Sequence, residues 1–429
     1  MRSDPAHAEA NVDPRRTGAR VAEAFRRRWG VEPEFVLRAP GRINLIGDHT
    51  DYSLLPVLPM AINRGLSFAV GPAPDGCTID SLDEPAALRL GTTPAQPASL
   101  RLGTTPAQPA SWHPYAIHAA ALLDCPRGLR VLVAGDLPMT GGLSSSSALV
   151  VGLLAALTRD SQTPLRGQAL VEAAIEAERR AAIEGGAMDQ TVIVFGQPGH
   201  ALRIDFDPPA RRPVAIAEGL VFVAADSGTR AAKSAEARDA YNARVVAGRC
   251  AAAWLAHAQS IAPPAPLVLG HFANTLREAI DALPESTSAA AVAARTHAPL
   301  DALVRLTAGR FDADRSLPLR SVAQHVIAEA AAVDVAESAL KDGDLAHFGA
   351  LLRASHESLR RFGTSTPELD RLTAAMNQAG AFGARVTGAG FGGYAIAACR
   401  PERVEDVIEA ARRATGGPAF PVAPAGGLA

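Results

Sequence analysis

The chain has 429 residues, 48% hydrophobic and 20% charged, a length beyond one typical core that sets an expectation of two domains. Its 42 basic and 44 acidic side chains give a net charge of −2, which offers no basic surface to collect nucleic-acid phosphates or anionic lipid, so the expected partners are small molecules, with no nucleic acid and no membrane. Cys77, Cys125, Cys250 and Cys399 form no C-x-x-C pair and no disulfide-like spacing, which excludes a structural zinc site or secreted scaffold of the usual kind and suits a reduced, cytoplasmic setting.

The opening stretch MRSDPAHAEANVDPRR is polar and lacks the apolar core of a signal peptide, and nowhere do about 18 apolar residues run together. Residues 1–18 read as a loose tail. Glu34 to Ala39 reads as a strand that delivers the chain into a Pro-Gly loop. The polar stretch Arg42 to Asp51 follows, and the apolar run resumes from Val57 to Ile62. The segment LRLGTTPAQPAS occurs twice in succession, at Leu88 to Ser99 and Leu100 to Ser111. Two Pro- and Gly-rich copies are too few for a solenoid, so the duplication reads as a surface hairpin or loop.

Gly128 to Pro138 alternates as a strand and leads through a Gly/Ser loop into the apolar Ala148 to Leu157, read as a buried helix. Thr163-Pro164 supplies an N-cap and a first-turn proline for a helix to about Ile183, ended by Gly185-Gly186. Ala235 to His257, Leu319 to Leu340 and Pro367 to Gln378 are helical in period. A strand at Tyr394 to Cys399 and a helix near Val404 to Ala414 complete the pattern.

Three loops concentrate chemistry. APGRINLIGDHTDY (Ala39 to Tyr52) packs Arg42, Asn44, Asp48, His49 and Asp51 into ten positions, a density that suits a polyhydroxylated ligand, the alternative being a solvated polar loop. GDLPMTGGLSSSSAL (Gly135 to Leu149) places a Gly pair and four serines before a helix. Free N–H groups and the positive end of the helix dipole converge there on an anion such as phosphate, unless the serines merely cap the helix. The nucleotide loop GxxxxGK[ST] is absent. TGAGFGG (Thr387 to Gly393) matches G-x-G-x-x-G formally, but a helix is expected before it and the strand YAIAAC after it. That order rejects a dinucleotide fold and leaves glycines that permit close approach to a ligand or another loop. Asp189 in EGGAMDQ fits either a general base or the cap of the next element.

In this order, GRINLIGDHTDY, GGLSSSSAL and GARVTGAGFGG resemble the galactokinase branch of the superfamily that also holds homoserine, mevalonate and phosphomevalonate kinases, the GHMP kinases. Trp112-His113-Pro114-Tyr115, Gln324-His325-Val326, Ser355 to Arg360 and Pro367 to Asp370 agree with it, and the likeness runs over roughly residues 30–400. The resemblance implies a two-domain α+β fold with the active site in the interdomain cleft. Its N-terminal domain would span 19–210, with the sugar signature and phosphate loop, and its C-terminal domain 211–429, with the third glycine motif.

It also implies an ATP- and Mg2+-dependent kinase acting on the anomeric hydroxyl of galactose. Asp189 would be the catalytic base. Arg42 would lie beside it, holding it ionised and offsetting phosphoryl charge. Asp48, His49, Asp51, Gly186 and Tyr241 would meet the sugar. Gly141, Gly142, Leu143, Ser144, Ser145 and Ser146 would wrap the phosphates, with Ser146 and Glu178 on the magnesium ion. Trp112 and Tyr115 would lie near adenine, unless they only pack in the core.

The sequence departs from the family pattern in the residues expected to read the sugar. Asp48 stands where galactokinases usually have Glu, Ser53-Leu54-Leu55-Pro56 replaces an Asn/Gly pair, and Lys233-Ser234 replaces Lys-His. IEGGAMDQ is closer to the N-acetylgalactosamine kinase form than to PCGIMDQ. A related sugar, such as N-acetylgalactosamine, arabinose or galacturonate, is therefore an alternative substrate. A non-catalytic sugar sensor is a second alternative, one that damage to the phosphate loop or loss of the base would favour, and neither is seen.

Overall fold

The computed structural model describes residues 14–428 except 75, 85–86, 92–100, 104–111, 124–127, 139–140, 160, 182–184, 230–234, 274, 276–278 and 307–309. The first described element is a helix, α1 (Pro14–Trp29). Residues 14–18, expected to belong to a loose tail, are thus its opening turns, held because Val21 and Phe25 are buried against the sheet behind them. Strand β1 (Phe35–Ile46) pairs antiparallel with β2 (Leu58–Pro72). The strand does not stop at Pro40-Gly41 as expected. A shift of register between Pro40 and Arg42 absorbs the irregularity, and Arg42 and Asn44 are therefore strand residues.

Strands β3 (Cys77–Ser81), β4 (Leu88–Gly91) and β5 (Arg101–Gly103) follow. β4 and β5 are the opening residues of the two repeat copies, and they pair with each other as the two arms of an antiparallel pair. The rest of both copies lies outside the described residues. After helix α2 (His113–Ala121), strand β6 (Leu129–Gly135) runs beside β2 and, in parallel, beside β3, giving the sheet order β1-β2-β6-β3-β4-β5.

The period of two fixes the layers. On β2 and β6, Phe68, Val70, Val131 and Val133 face the main core, while Ala69, Leu132 and Ala134 face α1. Helix α3 (Ser145–Thr158) is buried nearly all round in that main core, which is why its sequence shows almost no polar face. Helix α4 (Gly167–Arg180) begins three residues later than the Thr163-Pro164 signal suggests, with Arg166 at its N-cap and no capping side chain.

Helix α5 (Met188–Phe195) carries Asp189 in its first turn, and the hairpin β7 (His200–Phe206) with β8 (Pro209–Ala215) straddles residue 210. Then come β9 (Val221–Asp226), α6 (Ala235–Ala258), β10 (Thr287–Ser288), α7 (Ala289–Thr296), α8 (Leu300–Val304), β11 (Ser316–Leu317), α9 (Leu319–Asp342), α10 (Leu345–Phe362) and α11 (Pro367–Gln378). Strands β12 (Gly383–Val386) and β13 (Tyr394–Cys399), helix α12 (Val404–Thr415) and strand β14 (Ala419–Val422) end the chain.

The second sheet has the order β12-β13-β9-β14. Alternate residues of β9 and β13 enter the main core (Phe222, Ala224, Tyr394, Ile396) or pack under α11 and α12 (Val223, Ala225, Ala395, Ala397). Burial on both faces explains the unbroken apolar runs VFVAA and YAIAAC. The turn between β12 and β13 is TGAGFGG, so a strand, and not a helix, precedes the third glycine loop. The strand-loop-strand order still excludes the dinucleotide fingerprint.

Candidate active site

A cavity of about 490 Å3 opens where the first loop, the Gly/Ser loop, the start of α5, the start of α6 and the third glycine loop meet. Three of its wall residues, His49 (φ 64°), Ser144 (58°) and Phe391 (61°), hold left-handed backbone without being glycine. Such conformations are costly and collect where a site must be held in one shape.

One wall is built on Arg42. Its Nε donates to Asp189 Oδ1 at 2.7 Å and its Nη2 to Oδ2 at 2.9 Å, a two-pronged pairing, while Nη1 donates to the Gly142 carbonyl at 2.5 Å. The Ser144 hydroxyl also donates to Asp189 Oδ2. Ser144 is the N-cap residue of α3, yet its side chain caps nothing in the helix, because it is spent on Asp189. Of the two sequence readings for the serines, simple capping is therefore not what Ser144 does.

Gly141, Gly142, Ser145, Ser146 and Ser147 continue this wall. Leu143 does not. Its side chain is buried in the core, and what it offers the site is its carbonyl, which accepts from Arg42 N at 3.1 Å. Gly142, at φ 103°, has no room for a side chain: a Cβ would lie 3.1 Å from Tyr394 N and 3.2 Å from the Thr387 carbonyl. The third glycine loop thus rests directly on the phosphate-type loop.

At the far end of this wall Glu178 Oε2 accepts from Gln190 Nε2 at 2.9 Å, and its Oε1 is buried without a hydrogen-bond partner, as is Gln190 Oε1. Burial pushes Glu178 up to about 7, against the smaller lowering effect of the nearby Ser147 hydroxyl. Tyr115 lines the cavity, and its hydroxyl, close to Ser146, is pushed up to about 12 by burial and then by Glu178. Trp112 is not on this wall. It lies in the core and lines a separate pocket of about 80 Å3 with Ser81, Asp83 and Glu84, its indole N–H buried without a partner.

The opposite wall is the Asp48 to Tyr52 loop. Asp51 accepts from Tyr52 N at 2.9 Å and from Met188 N at 3.4 Å, and burial, reinforced by the neighbouring Asp189, pushes its carboxyl up to about 6. Gly186 packs against it so tightly that a Cβ would fall 2.0 Å from Asp51 Oδ2. Asp48 accepts from Asn44 Nδ2 at 2.6 Å and from Arg385 Nη2, and burial still holds it at about 6.

His49 is pushed down to about 3, first by burial and then by His325, so its ring is neutral. Its Nε2, 3.3 Å from the Ala389 carbonyl, must carry the proton, which leaves Nδ1 to accept from the Tyr52 hydroxyl at 3.2 Å. Both ring nitrogens are thus engaged, and a ligand hydroxyl would have to share or replace one of these partners. The Tyr241 ring stands 5.5 Å from that of His49 and closes this side of the cavity.

The structure therefore gathers Arg42, Asp48, His49, Asp51, Tyr115, Gly141, Gly142, Ser144, Ser145, Ser146, Glu178, Gly186, Asp189 and Tyr241 on one cavity, and leaves Trp112 and the Leu143 side chain off it. It adds Gln190, Arg238, Ala389 and Phe391, which the sequence reading did not single out. Gln190 directly follows the candidate base in EGGAMDQ, and Phe391 lies inside the glycine loop TGAGFGG, so proximity in sequence is the signal for both. Lys233-Ser234 lies outside the described residues. No described helix is long and apolar enough to cross a membrane.

Three family models match the chain: the galactokinase galactose-binding signature at residues 23–72, the GHMP kinase N-terminal domain at 114–197 and the GHMP kinase C-terminal region at 336–416. The galactokinase of Roseiflexus sp. (strain RS-1) is 31% identical over 411 residues, covering 92% of each chain. That of Mycobacterium tuberculosis (strain H37Rv) is 33% identical over 389 residues, 88% of this chain and 92% of the relative. Among solved structures, Lactococcus lactis galactokinase complexed with galactose superposes with a TM-score of 0.74 at 25% identity, over 96% of this chain and 99% of the other. Methanococcus jannaschii mevalonate kinase, at 17% identity, shares the fold with a TM-score of 0.59, over 91% and 98% of the two chains.

Proposed function

The chain belongs to the galactokinase family, and on that premise we propose that it transfers the γ-phosphoryl group of ATP to the anomeric hydroxyl of galactose, giving galactose 1-phosphate and ADP. The observation that carries this reading is the Arg42-Asp189 pair, fixed by two short hydrogen bonds at the junction of the serine wall and the aspartate wall. In the proposed step Asp189 takes the proton of the C1 hydroxyl as that oxygen bonds to the γ-phosphorus and the bond to the β-phosphate oxygen breaks, releasing ADP. Arg42 keeps the carboxylate aimed and offsets the charge on the moving group. Most of the catalytic work is positioning, which suits a site with so much of its backbone pinned.

In the same reading Gly141, Gly142, Ser144, Ser145 and Ser146 receive the phosphates at the start of α3, where the helix dipole favours anions. Asp48, Asp51, Gly186 and Tyr241 read the sugar hydroxyls. Adenine approaches Tyr115 and the small pocket under Trp112, whose indole N–H has no internal partner. The division into units at 19–210 and 211–429 belongs to this proposal as well, with the cavity taking walls from both.

The residues present also suit a magnesium ion. Glu178 Oε1 and Gln190 Oε1 are buried oxygens without partners, and Ser146 shares their cavity, an all-oxygen set of the kind a hard cation takes together with substrate phosphates. Bound there, the ion would neutralise phosphate charge and help align the transferring group.

One observation favours a second reading for the sugar alone. Asp48, a methylene shorter than the family's usual Glu, is paired with Arg385 inside the wall, so its carboxylate reaches less far toward a ligand than a Glu at this position would, which suits a related galactose-like substrate. The test is ADP release with MgATP and galactose, N-acetylgalactosamine, arabinose, galacturonate or glucose. The highest kcat/KM is expected for galactose. A higher value for another galactose-like sugar would give the second reading, and no sugar-dependent ADP release with any of them would remove both.

A further inference from the structure

Behind the sugar-side loop lies a charged cluster with no face on the cavity. Arg385, on β12, is fully buried. A buried guanidinium is tolerated only when its charge and its donors are matched. Here two carboxylates match the charge and four of the five N–H donors have partners: Nε donates to the Val386 carbonyl at 2.9 Å, Nη1 to the Leu45 carbonyl at 2.9 Å and to Glu329 Oε2 at 3.5 Å, and Nη2 to Asp48 Oδ2.

Glu329 adds a second hold on the same loop, accepting from Gly47 N at 3.0 Å and Asp48 N at 3.1 Å. One helical turn before it on α9, His325 supplies a third. Its Nε2 faces the Asp48 carbonyl at 3.1 Å and so donates, while Nδ1 accepts from the Ser358 hydroxyl at 2.8 Å. The loop residue Asp48 is thus gripped at its N–H, its C=O and its side chain by groups that come from residues 325–385. Asn44 closes the seam, holding Asp48 Oδ1 with its side chain and the Thr387 hydroxyl with its backbone N–H, at 2.9 Å.

We propose that Arg385, with Glu329 and His325 behind it, is a positioning residue for sugar recognition: it fixes the Asp48 carboxylate at the cavity wall and so sets sugar affinity without touching the sugar. The proposal rests on the reading that Asp48 meets the sugar. Each Asp48 oxygen spends one acceptor site inward, on Asn44 or Arg385, and Asp48 also lines the cavity, so a carboxylate oxygen has acceptor capacity left for a ligand hydroxyl there. Without the guanidinium the carboxylate would be held by Asn44 on one oxygen only and, being buried, would hold its proton to higher pH. The charged and titratable groups around Asp48 are Arg385 from β12, Glu329 and His325 from α9, Arg42 from β1, and His49 and Asp51 from its own loop.

The test is steady-state kinetics of the full-length chain with galactose and MgATP for Arg385→Lys, Asp48→Asn and the double variant, with ATP binding as the check on folding. Arg385→Lys keeps the charge and loses the fork. It is expected to raise the sugar KM about tenfold, the scale of one misplaced buried hydrogen bond, with kcat and the ATP KM within about twofold. The acid limb of kcat/KM for sugar should move to higher pH. The double variant should match Asp48→Asn alone, because Arg385 acts only through Asp48.

An unchanged sugar KM in Arg385→Lys, an unmoved acid limb, or multiplicative effects in the double variant would overturn the positioning role while leaving the proposed function intact. An unchanged sugar KM in Asp48→Asn would instead remove Asp48 from the sugar site, and with it the premise. Should Arg385→Lys fail to fold, Glu329→Gln leaves the guanidinium in place and weakens its backing; the sugar KM should again rise, whereas the acid limb should move to lower pH, because the Glu329 charge raises the Asp48 carboxyl, and an unchanged sugar KM would overturn the positioning role.

Discussion

The serine wall and the aspartate wall of the cavity are built in opposite ways. The serine wall is centred on one short segment: Gly141, Gly142 and Ser144 to Ser147 lie within seven positions, with the Arg42-Asp189 pair, Tyr115, Glu178 and the third glycine loop packed against them. The aspartate wall is a short loop whose shape is imposed from behind by Glu329, His325 and Arg385, some 280 to 340 residues further along the chain. A phosphate group can be held by backbone N–H groups and a helix terminus, which any short Gly/Ser loop supplies. Telling one sugar from another requires side-chain acceptors held in fixed positions, and buried acceptors stay fixed only when their other lone pairs are already taken.

This contrast predicts which kinetic constant each change moves. The largest effect is expected from Asp189→Asn. It should lower kcat by roughly 10²- to 10⁴-fold, the usual range for loss of a general base, while titration with ATP shows nucleotide binding retained. Unimpaired turnover would remove Asp189 as the base. Gly186→Ala comes next. Its methyl would occupy the space of the Asp51 carboxylate, so sugar affinity should fall roughly 10- to 100-fold with ATP affinity unchanged. Equal losses for both substrates would break the separation of the walls.

The pH dependence sharpens the same point. Asp48 and Asp51 both sit at about 6, each raised by burial, and their ionised forms are the better acceptors. Sugar affinity measured by calorimetry should therefore be complete above about pH 7 and weaken by up to about tenfold per unit as the pH falls through 6. An affinity flat from pH 8 to 5 would show that these carboxylates do not meet the sugar. The smallest effect is expected from Tyr115→Phe. Loss of a hydroxyl beside Ser146 should raise the ATP KM only a fewfold, about 1 kcal/mol, and leave the sugar KM alone.

The same division decided what the sequence could reveal. Helix α11 and strand β13 are bounded where the pattern predicts, the former because Thr366 caps it and Pro367 opens it. The cavity residues from Gly141 to Ser146 could be named because the loop is contiguous and its chemistry is carried by residue type. Arg385 could not, since in GARV it sits between apolar strand neighbours and nothing local says that its charge is matched by Asp48 and Glu329. Glu329 lies in an Ala-rich helix, where a lone acid reads as a solvated side chain.

For helix α4 the Thr163-Pro164 pair imitates a helix start that the backbone takes up only at Gly167. The break expected at Pro40-Gly41 failed because a register shift let the strand continue. Helix α10 is not legible in the sequence despite its ends, where Asp344 caps the His347 N–H and Gly363 adopts the left-handed conformation. Its apolar positions, Phe348, Leu352, Leu359 and Phe362, are interrupted by polar residues, and they are buried in three different clusters.

The central claim is that Asp189 and the serine wall meet at the anomeric oxygen of a galactose-like sugar. Its most direct test is the NMR spectrum of the product formed from galactose and MgATP, recorded while the anomeric assignment is still resolvable. The expected product carries one phosphate coupled to the C1 proton, in equal amount to the ADP formed. Phosphate on any other sugar oxygen, or ADP released without a sugar phosphate, would contradict it.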